Sequence, residues 1–509
     1  MTAREQLAQF AAGSKALPRL CREYKKERAT VHLKELVGGA LSFYAAAAAA
    51  KTGGVHVFVA EDRDAAAYLM NDFYNLLDEK QVYFFPSSYK RSVAYGAEDA
   101  QGVVQRTAAM SAVKGFTKGY LIVCTYPEAL AERVADAETL RRDTIAVKVG
   151  DSISIAVLED ALVDANFTRV DFVYEPGQYS VRGGIVDVFS FSESKPYRID
   201  FFGDEVDSIR RFNISSQLSA DKLDRVEIIP NLNAGDGAAK VSFVQFAGDA
   251  AAYWFYDADY VLRRVNDIRR KTLADMERPE EIDRLMTSRN ALLGDLANCR
   301  MLALRDNLPE RPATAAVEFD TAPQPKFNKN FEMLADDMIR NSLRGYTTYI
   351  LSENKVQVER LENIFHQIGR GQAVVRPLSV TLHEGFVDND LKLCLYTDHQ
   401  IFDRYQRYRI NGEIRRDEQM TVAELNQLRP GDYVVHIDHG VGRFDGLVKI
   451  EENGKTHEAI KLVYKDGDVL FVNVHSLHRI SRYKSGDGEP PKVYKLGNGA
   501  WQKLKNATK

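Results

Sequence analysis

The stretch Val55-His-Val-Phe-Val-Ala60 is a short and almost wholly apolar run, which is typical of a strand buried on both faces of a parallel sheet. A helical pattern over Ala65–Phe73 follows it, and two further strand-like runs follow at Gln81–Phe85 and Tyr120–Thr125. Strand, helix and strand at this spacing predict a parallel sheet with covering helices. Upstream, a helix is predicted from Leu41 until Gly53-Gly54 ends it.

The pattern changes from about Ser152 to Pro230. Tyr179–Phe189 and Pro196–Phe202 show the alternation of apolar and polar residues that is typical of half-buried strands, and Gly203-Asp204 supplies a turn. These features predict an antiparallel β insertion. From Phe243 to Arg305 the pattern is helical again, and a Pro-rich bridge then leads into a small α/β segment.

The tail of the chain is rich in strands. The predicted strands are Tyr433–Ile437, Arg443–Ile450, His457–Tyr464 and Val469–Val474. Asn453-Gly454 is a strong hairpin signal between two of them. Four or five short strands in so few residues predict a small β-barrel.

Length and composition fit a soluble protein of several domains. The 509 residues are 45% hydrophobic and 28% charged, which excludes a disordered or fibrous chain. The net charge is −4, although residues 428–509 carry 14 Lys and Arg against 10 Asp and Glu. The sequence has no apolar run of membrane-spanning length, and its four cysteines are scattered, so we expect a cytoplasmic protein.

We therefore predict a multidomain α/β protein. A two-part α/β domain of the phosphate-loop type occupies 1–145 and 226–335, and the β insertion occupies 146–225. A small α/β domain follows at 336–425, and the β-barrel with the start of a linker covers 426–509.

A degenerate nucleotide loop lies just before the first predicted helix. A phosphate-binding loop needs glycines, then Lys and Ser or Thr for the phosphates and Mg²⁺. The stretch Val37, Gly38, Gly39 and Ala40 supplies the glycines without the Lys and Ser or Thr. We expect no ATP hydrolysis there. Asp204-Glu-Val-Asp207 imitates a helicase acidic box but is better explained as a hairpin turn.

The sequence predicts neither a metal site nor a catalytic constellation. His436 and His439 form one HxxH pair, and His475 and His478 form a second, but no cysteine lies near them. Because residues three apart in a strand point to opposite faces, these pairs do not suggest zinc. No serine-hydrolase or metalloprotease motif is present.

Two surfaces remain as candidates for binding. The arginines of the β insertion, including Arg169, Arg182 and Arg198, suit carboxylate recognition if they are exposed, although a solvated sheet face explains them as well. In the tail, Leu447-Val-Lys-Ile450 could add a partner's strand if it lies at a sheet edge. If that strand lies in the sheet interior, the same residues have a structural role only.

At two places the sequence resembles a known family. Arg182-Gly-Gly-Ile-Val-Asp-Val-Phe189 and Tyr197–Ile209 resemble the second domain shared by the UvrB repair helicase and the transcription-repair coupling factors (Mfd). Val434–Phe444, Ser476–Tyr483 and Lys495–Trp501 resemble the RNA polymerase-interacting domain of the same coupling factors.

The resemblance implies roles for particular residues. In the β insertion it implies UvrA binding through Arg169, Arg182 and Arg198, with Asp200 as an acidic neighbour. In the tail it implies a Tudor-like barrel that pairs a strand with the polymerase β subunit, through Arg443, Leu447, Val448 and Ile450, with Leu447 as the first choice of anchor. The loop Val37–Ala40 is degenerate in the family as well.

We therefore expect an adaptor that links stalled RNA polymerase to UvrA in nucleotide-excision repair. The resemblance implies that the chain is the N-terminal half of a longer protein. The missing motor would bind ATP and Mg²⁺ and would make the main contact with duplex DNA, so this chain has no cofactor of its own. Two alternatives stay open: an active UvrB-like, ATP-dependent repair helicase, and a CarD-like transcription regulator.

Overall fold

The computed structural model describes residues 2–90, 96, 98–214, 217–232, 239–305, 311–404, 428–436, 439–452, 455–473 and 480–482. The chain divides into two compact units. One comprises Met1–Arg211 and Lys222–Gly412, and the other comprises Phe212–Asp221 and Glu413–Lys509. Within the described residues, no helix is both long and apolar enough to cross a membrane.

Polar caps fix where several helices begin. The Asp62 carboxylate accepts the Ala65 N–H at 2.8 Å, and Ser154 accepts the Val157 N–H at 3.3 Å. The α-helices of the described residues are α1 (Ala3–Ala12), α2 (Ala16–Tyr24), α3 (Ala40–Thr52), α4 (Arg63–Leu76), α5 (Ala100–Gly115), α6 (Pro127–Ala131), α7 (Ala137–Asp143), α8 (Ile155–Asp164), α9 (Phe243–Ala247), α10 (Ala258–Asp275), α11 (Ile282–Leu285), α12 (Arg289–Leu296), α13 (Phe331–Leu343), α14 (Lys355–Gln367) and α15 (Asp398–Ile401).

The strands of the described residues are mostly short. They are β1 (Thr30–Lys34), β2 (Gly54–Val59), β3 (Val82–Phe84), β4 (Tyr120–Thr125), β5 (Val134–Ala135), β6 (Ile145–Lys148), β7 (Thr168–Arg169), β8 (Gln178–Arg182), β9 (Ile185–Val188), β10 (Tyr197–Phe202), β11 (Glu205–Phe212), β12 (Ser219–Leu223), β13 (Arg225–Ile228), β14 (Lys240–Val241), β15 (Ala252–Phe255), β16 (Arg300–Ala303), β17 (Ala315–Glu318), β18 (Thr321–Pro323), β19 (Thr347–Leu351), β20 (Pro377–Leu378), β21 (Phe386–Asp388), β22 (Leu393–Thr397), β23 (Tyr433–His436), β24 (Gly440–Glu452), β25 (Lys455–Val463), β26 (Val469–Asn473) and β27 (Ile480–Arg482).

A seven-stranded parallel sheet forms the base of the first unit. Its order is β17-β1-β16-β15-β2-β4-β3, and every pairing in it is parallel. The three strand-like runs that opened the sequence analysis are β2, β3 and β4, so the predicted parallel sheet is confirmed. Aromatic residues fill its centre, where the Phe58 and Trp254 rings stack with their centroids 5.0 Å apart.

The sequence analysis missed two central strands of this sheet. It assigned a helical pattern to the whole of Phe243–Arg305, whereas β15 and β16 lie in that range and pair with each other. β15 is buried along its whole length and is only four residues long, so it shows no alternation of polar and apolar residues. A short apolar run of this kind cannot be distinguished from part of a buried helix by periodicity.

The β insertion is an antiparallel sheet, as predicted. Its order is β12-β11-β10-β9-β8-β7, with antiparallel pairing from β8 to β11. The Phe202–Glu205 pair closes a two-residue turn at Gly203-Asp204, so the stretch Asp204–Asp207 belongs to a hairpin, as predicted. One face of the sheet packs against Leu158 and Leu162 of α8. The antiparallel pair β6 and β13 closes the insertion where the chain enters and leaves it.

The small α/β domain begins earlier than predicted. The expected boundary between 335 and 336 falls inside α13, and Phe327, Leu334, Ala335 and Met338 share one core. β18, at Thr321–Pro323, already belongs to the five-stranded sheet of this domain, whose order is β18-β21-β22-β19-β20. The residues on both sides of position 335 therefore pack together in the core of this domain.

The second unit contains an antiparallel five-stranded sheet. Its order is β26-β25-β24-β23-β27, and the four strands predicted in the tail are β23 to β26. Val434, Phe444, Ile460 and Leu462 are among its buried core residues. A β-bulge between Phe444 and Leu447 bends β24. The predicted Asn453-Gly454 turn lies outside the described residues.

A buried arginine holds the edge of the first domain together. The Arg106 guanidinium donates hydrogen bonds to the carbonyls of Pro86, Ala129 and Glu132, at 2.9–3.0 Å. It also lies 3.7 Å from the Glu132 carboxylate, and both side chains are almost wholly buried. Arg106 is therefore an internal link between three chain segments.

We predict that Arg106→Ala lowers the free energy of unfolding by about 3 kcal/mol, because it leaves the Glu132 carboxylate buried without its cation. Urea unfolding followed by circular dichroism measures this loss. Arg142→Ala is the control, since Arg142 pairs with Asp143 at the surface and its side chain is 67% exposed. Equal stability of the two variants would contradict the structural role of Arg106.

Candidate partner-binding surfaces

One face of the insertion sheet carries most of the predicted UvrA-binding residues. Arg198 on β10 lies opposite Asp187 on β9 and opposite Arg210 on β11. Asp200 and Arg182 both lie opposite Ile185, which puts them on the same face. We call the set Arg182, Asp187, Arg198, Asp200 and Arg210 the arginine face.

Arg198 is not exposed, contrary to the condition on which the sequence analysis relied. Its side chain is only 15% exposed, and its Nε and Nη2 donate to the two oxygens of Asp187 at 2.7 and 2.9 Å. This hydrogen bonding raises the pKa of Arg198 above its ordinary value. The carboxylate that pairs with Arg198 is therefore Asp187 of β9, and not a group of a binding partner.

Arg182 is more accessible than Arg198. Its side chain is 35% exposed, it also donates to the Asp187 carboxylate, and its guanidinium lies 4.8 Å from the centre of the Phe172 ring. Asp187 itself is 1% exposed and bridges the two arginines. The guanidinium of Arg182 is thus held in place while part of it stays open to solvent.

Asp200 is shared within the face in a similar way. It accepts hydrogen bonds from the Ser208 hydroxyl at 2.8 Å and from the Arg210 guanidinium. The arginine face therefore contains two groups of charges, and in each group a carboxylate contacts at least one arginine.

Arg169 lies on the other side of the sheet. It pairs in register with Tyr179, and its guanidinium contacts Glu159 of α8 at 2.6 Å. The Tyr179 hydroxyl donates to the same carboxylate. Arg211 is also on this side and contacts Glu193. The cluster of insertion arginines expected from the sequence is thus divided between two faces.

Phe202 is an exposed aromatic residue that the sequence analysis did not single out. It ends β10 directly before the Gly203-Asp204 turn, and it is 84% exposed. Single exposed apolar residues are common on protein surfaces, so the exposure of Phe202 does not by itself indicate an interaction site. Its place beside the turn could have been read from the sequence, but its exposure could not.

The predicted polymerase-binding residues lie on β24. Arg443 is paired on both sides, with Tyr433 of β23 and with Val463 of β25, and it donates to the Tyr433 hydroxyl at 3.1 Å. Leu447, past the bulge, is 44% exposed, and Val448 is half-buried. The backbone of Ile450 pairs with that of His457, and the structure describes only the backbone of Ile450.

One edge of β24 is open beyond Arg443. β23 pairs only with residues 440–443, whereas β25 pairs with β24 as far as Glu452. In the described part of the chain, no strand pairs with the second edge of 447–452. Among the residues that the structure describes, this segment of β24 thus has one edge without a partner strand, which is the arrangement that strand addition requires.

The glycine loop is covered by the chain itself. A Cβ atom on Gly39 would lie 2.1 Å from the Glu384 carbonyl oxygen, and one on Gly38 would lie 3.1 Å from the Gly385 carbonyl oxygen. The N–H groups of Ala40 and Leu41 donate to the carbonyls of Val37 and Gly38 within the loop. The loop therefore presents neither open space nor those two amides to a phosphate group.

A cavity of about 260 Å³ lies beside this loop. Three carboxylates, those of Glu61, Asp72 and Glu384, are among the residues that line it. Among its described lining residues there is no lysine or arginine. Burial raises the pKa of Asp72 to about 7. Among the described residues, this lining therefore lacks the cationic side chain with which an ATP site holds the triphosphate.

The argument from strand geometry against a His436–His439 pair is wrong. β23 ends at His436, and the chain turns before β24, so the two imidazole rings lie 4.8 Å apart. Among the described residues, however, no group of three or more His, Cys, Asp or Glu side chains is placed to hold a metal ion. His475 and His478 lie outside the described residues.

Comparison with known families and proteins agrees with these two surfaces. Residues 145–233 match the UvrB interaction domain, and residues 428–484 match the CarD-like/TRCF RID domain. The first match contains the arginine face, and the second contains β24.

Several bacterial proteins resemble the chain along most of its length. The transcription-repair-coupling factor of Bacillus subtilis is 24% identical over 93% of this chain, and that of Escherichia coli is 25% identical over 93%. The protein of the same name from Staphylococcus haemolyticus is 24% identical over 86%. The chain spans less than half the length of these relatives, namely 47%, 47% and 44%. The resemblance to transcription-repair coupling factors is thereby confirmed: the chain carries both domain matches and is similar to these proteins over most of its own length.

Proposed function

We propose that the chain is an adaptor of transcription-coupled DNA repair, which links RNA polymerase to UvrA. The observation that carries this proposal is the presence, in one chain, of a UvrB interaction domain and a CarD-like/TRCF RID domain. An adaptor acts by tethering, because two joined binding sites raise the local concentration of their partners. The function requires no chemistry in this chain.

The arginine face is the proposed UvrA-binding surface. Arg182 and Arg210 are its more accessible cations, with side chains that are 35% and 32% exposed, and Phe202 is an exposed apolar residue on the same sheet. Arg198 and Asp187 hold Arg182 in position, so Arg198 contributes through the network. Arg169 lies on the opposite face, next to α8, so it contacts UvrA only if UvrA also covers the edge strand β7. Asp200 orients Arg210.

The open edge of β24 is the proposed site for the polymerase β subunit. Residues 447–452 offer main-chain groups for an added strand, and Leu447 offers an exposed apolar side chain. Val448 and Ile450 lie on the same segment of β24. Arg443 is the last residue of β24 that pairs with β23. We infer a Tudor-like barrel for this unit from the five-stranded antiparallel sheet and its bulge.

We propose further that the first domain is a phosphate-loop type of domain that has lost nucleotide binding. The backbone of residues 384 and 385 fills the space next to Gly38 and Gly39. Carboxylates line the neighbouring cavity. The triphosphate of ATP would meet carboxylates in this cavity and would find no lysine there. This argues against the UvrB-like helicase alternative.

We expect Arg182→Ala to raise the Kd for UvrA by about 30-fold, or about 2 kcal/mol, because a UvrA carboxylate loses its paired donor. Surface plasmon resonance with purified UvrA measures this change. Arg211→Ala is the matched control, since its side chain is 29% exposed against 35% for Arg182 and it lies on the opposite face. An unchanged Kd for a folded Arg182 variant contradicts the assignment.

Leu447→Arg should weaken binding to core RNA polymerase by at least about tenfold, because it puts a charge into a strand-addition interface. Co-purification and fluorescence anisotropy with labelled chain provide the measurement. Val469→Arg is the comparison variant, because it puts the same charge on β26, an edge strand of the sheet, at a residue that is 39% exposed. If the Val469 variant loses binding while the Leu447 variant keeps it, the partner uses the other edge of the sheet.

The purified chain should show no magnesium-dependent ATP turnover, with or without duplex DNA, and isothermal titration should detect no heat of ATP binding. A clear magnesium-dependent rate would show that the chain has a working nucleotide site. That result would favour the helicase alternative over the adaptor.

A further inference from the structure

We propose that the Gly38-Gly39 loop is a docking socket for residues 381–385 of the small α/β domain, and that this contact positions that segment beside the apolar core that the two domains share. Both partners of the contact belong to the first compact unit. The segment connects β20 to β21 and runs across the start of α3. In this assignment the loop has glycines because the backbone of residues 381–385 packs directly against it.

The glycines are needed because a backbone comes so close to them. Gly39 has φ −64° and ψ −7°, which alanine adopts without strain. What excludes a side chain is the Glu384 carbonyl oxygen, 2.1 Å from where a Cβ atom would lie. The absence of a side chain at position 39 is therefore a requirement of the contact and not of the local turn.

A buried carboxylate completes the socket. Asp72 of α4 is 3% exposed, and one of its oxygens accepts the His383 N–H at 2.6 Å. The other accepts the Ser42 hydroxyl at 2.8 Å. Removal of the segment would take one of these two donors from the buried carboxylate, at a considerable cost in free energy.

Other contacts hold the segment on the side of the first domain. The Asn75 amide donates to the Thr381 carbonyl at 2.9 Å, and the Tyr68 ring stacks on the His383 ring with centroids 3.7 Å apart. These groups come from α4, the helix that also carries Asp72. One face of α4 is thus complementary to the segment over several residues.

The small domain supports the segment from behind. The Gly385 N–H donates to the Gln400 side chain at 2.7 Å, and a ring nitrogen of His399 lies 2.9 Å from the His383 carbonyl oxygen. A hydrogen bond from the Tyr44 hydroxyl of α3 to Asp388 crosses between the domains next to the segment. Contacts within the small domain therefore hold the conformation of the segment, and the segment packs against the loop.

The test is hydrogen exchange of the segment in Gly39→Ala. We expect the His383 and Gly385 amides to exchange at least tenfold faster than in the unmodified chain, because the new methyl group collides with the Glu384 carbonyl. Gly294→Ala is the control, since a Cβ atom there meets no atom within 4 Å. The amides of β2 and β4 report whether each variant keeps its first sheet.

Unchanged protection of residues 381–385 in a folded Gly39→Ala variant would overturn the proposal. If that variant does not fold, the unmodified chain decides. Slow exchange of the His383 amide, comparable to that of β2, supports a socket, and exchange as fast as an exposed loop refutes it. None of these outcomes depends on UvrA or polymerase binding, so the proposal can fail while the adaptor function stands.

Discussion

The parallel sheet of the first domain has to be completed by strands that lie on both sides of the β insertion. β15, from Ala252 to Phe255, pairs with β2 on one side and with β16 on the other. A parallel sheet of this kind is stable only when both faces are covered and its central strands are buried. The insertion must therefore leave and return at neighbouring points, which the pairing of β6 with β13 achieves. The pairing of β6 with β13 thus joins the insertion to a completed core.

The arginine face illustrates how a charged binding surface can be rigid without being strongly exposed. Asp187 is buried and neutralises Arg198, so the sheet face carries no uncompensated buried charge. The same carboxylate orients Arg182, which keeps part of its guanidinium in solvent. A partner carboxylate would then meet a donor whose position is already fixed, which reduces the entropy lost on binding.

The glycine loop shows how two residues without side chains let another segment of the chain approach closely. The geometry that lets a backbone approach a phosphate also lets it approach a second backbone, and here residues 384 and 385 take that place. Asp72, which would repel a phosphate, instead accepts a main-chain N–H. The first domain would then act as a scaffold that carries the insertion at one place and the small domain at another.

The multidomain α/β architecture, the antiparallel insertion and the lack of a Lys-Ser/Thr pair after Gly38-Gly39 can all be read from the sequence alone, because strand periodicity, turn residues and residue identity are local properties. The sequence located β2, β4 and the hairpin at Gly203-Asp204, and it identified Leu447 as a candidate on a strand that could lie at an edge. Only the tertiary structure decided that Arg198 is bonded to Asp187, that Arg169 lies on the opposite face, that β15 is a central strand and that Glu384 covers Gly39. Each of these depends on which distant segments pack together, and no local pattern of residue types carries that information.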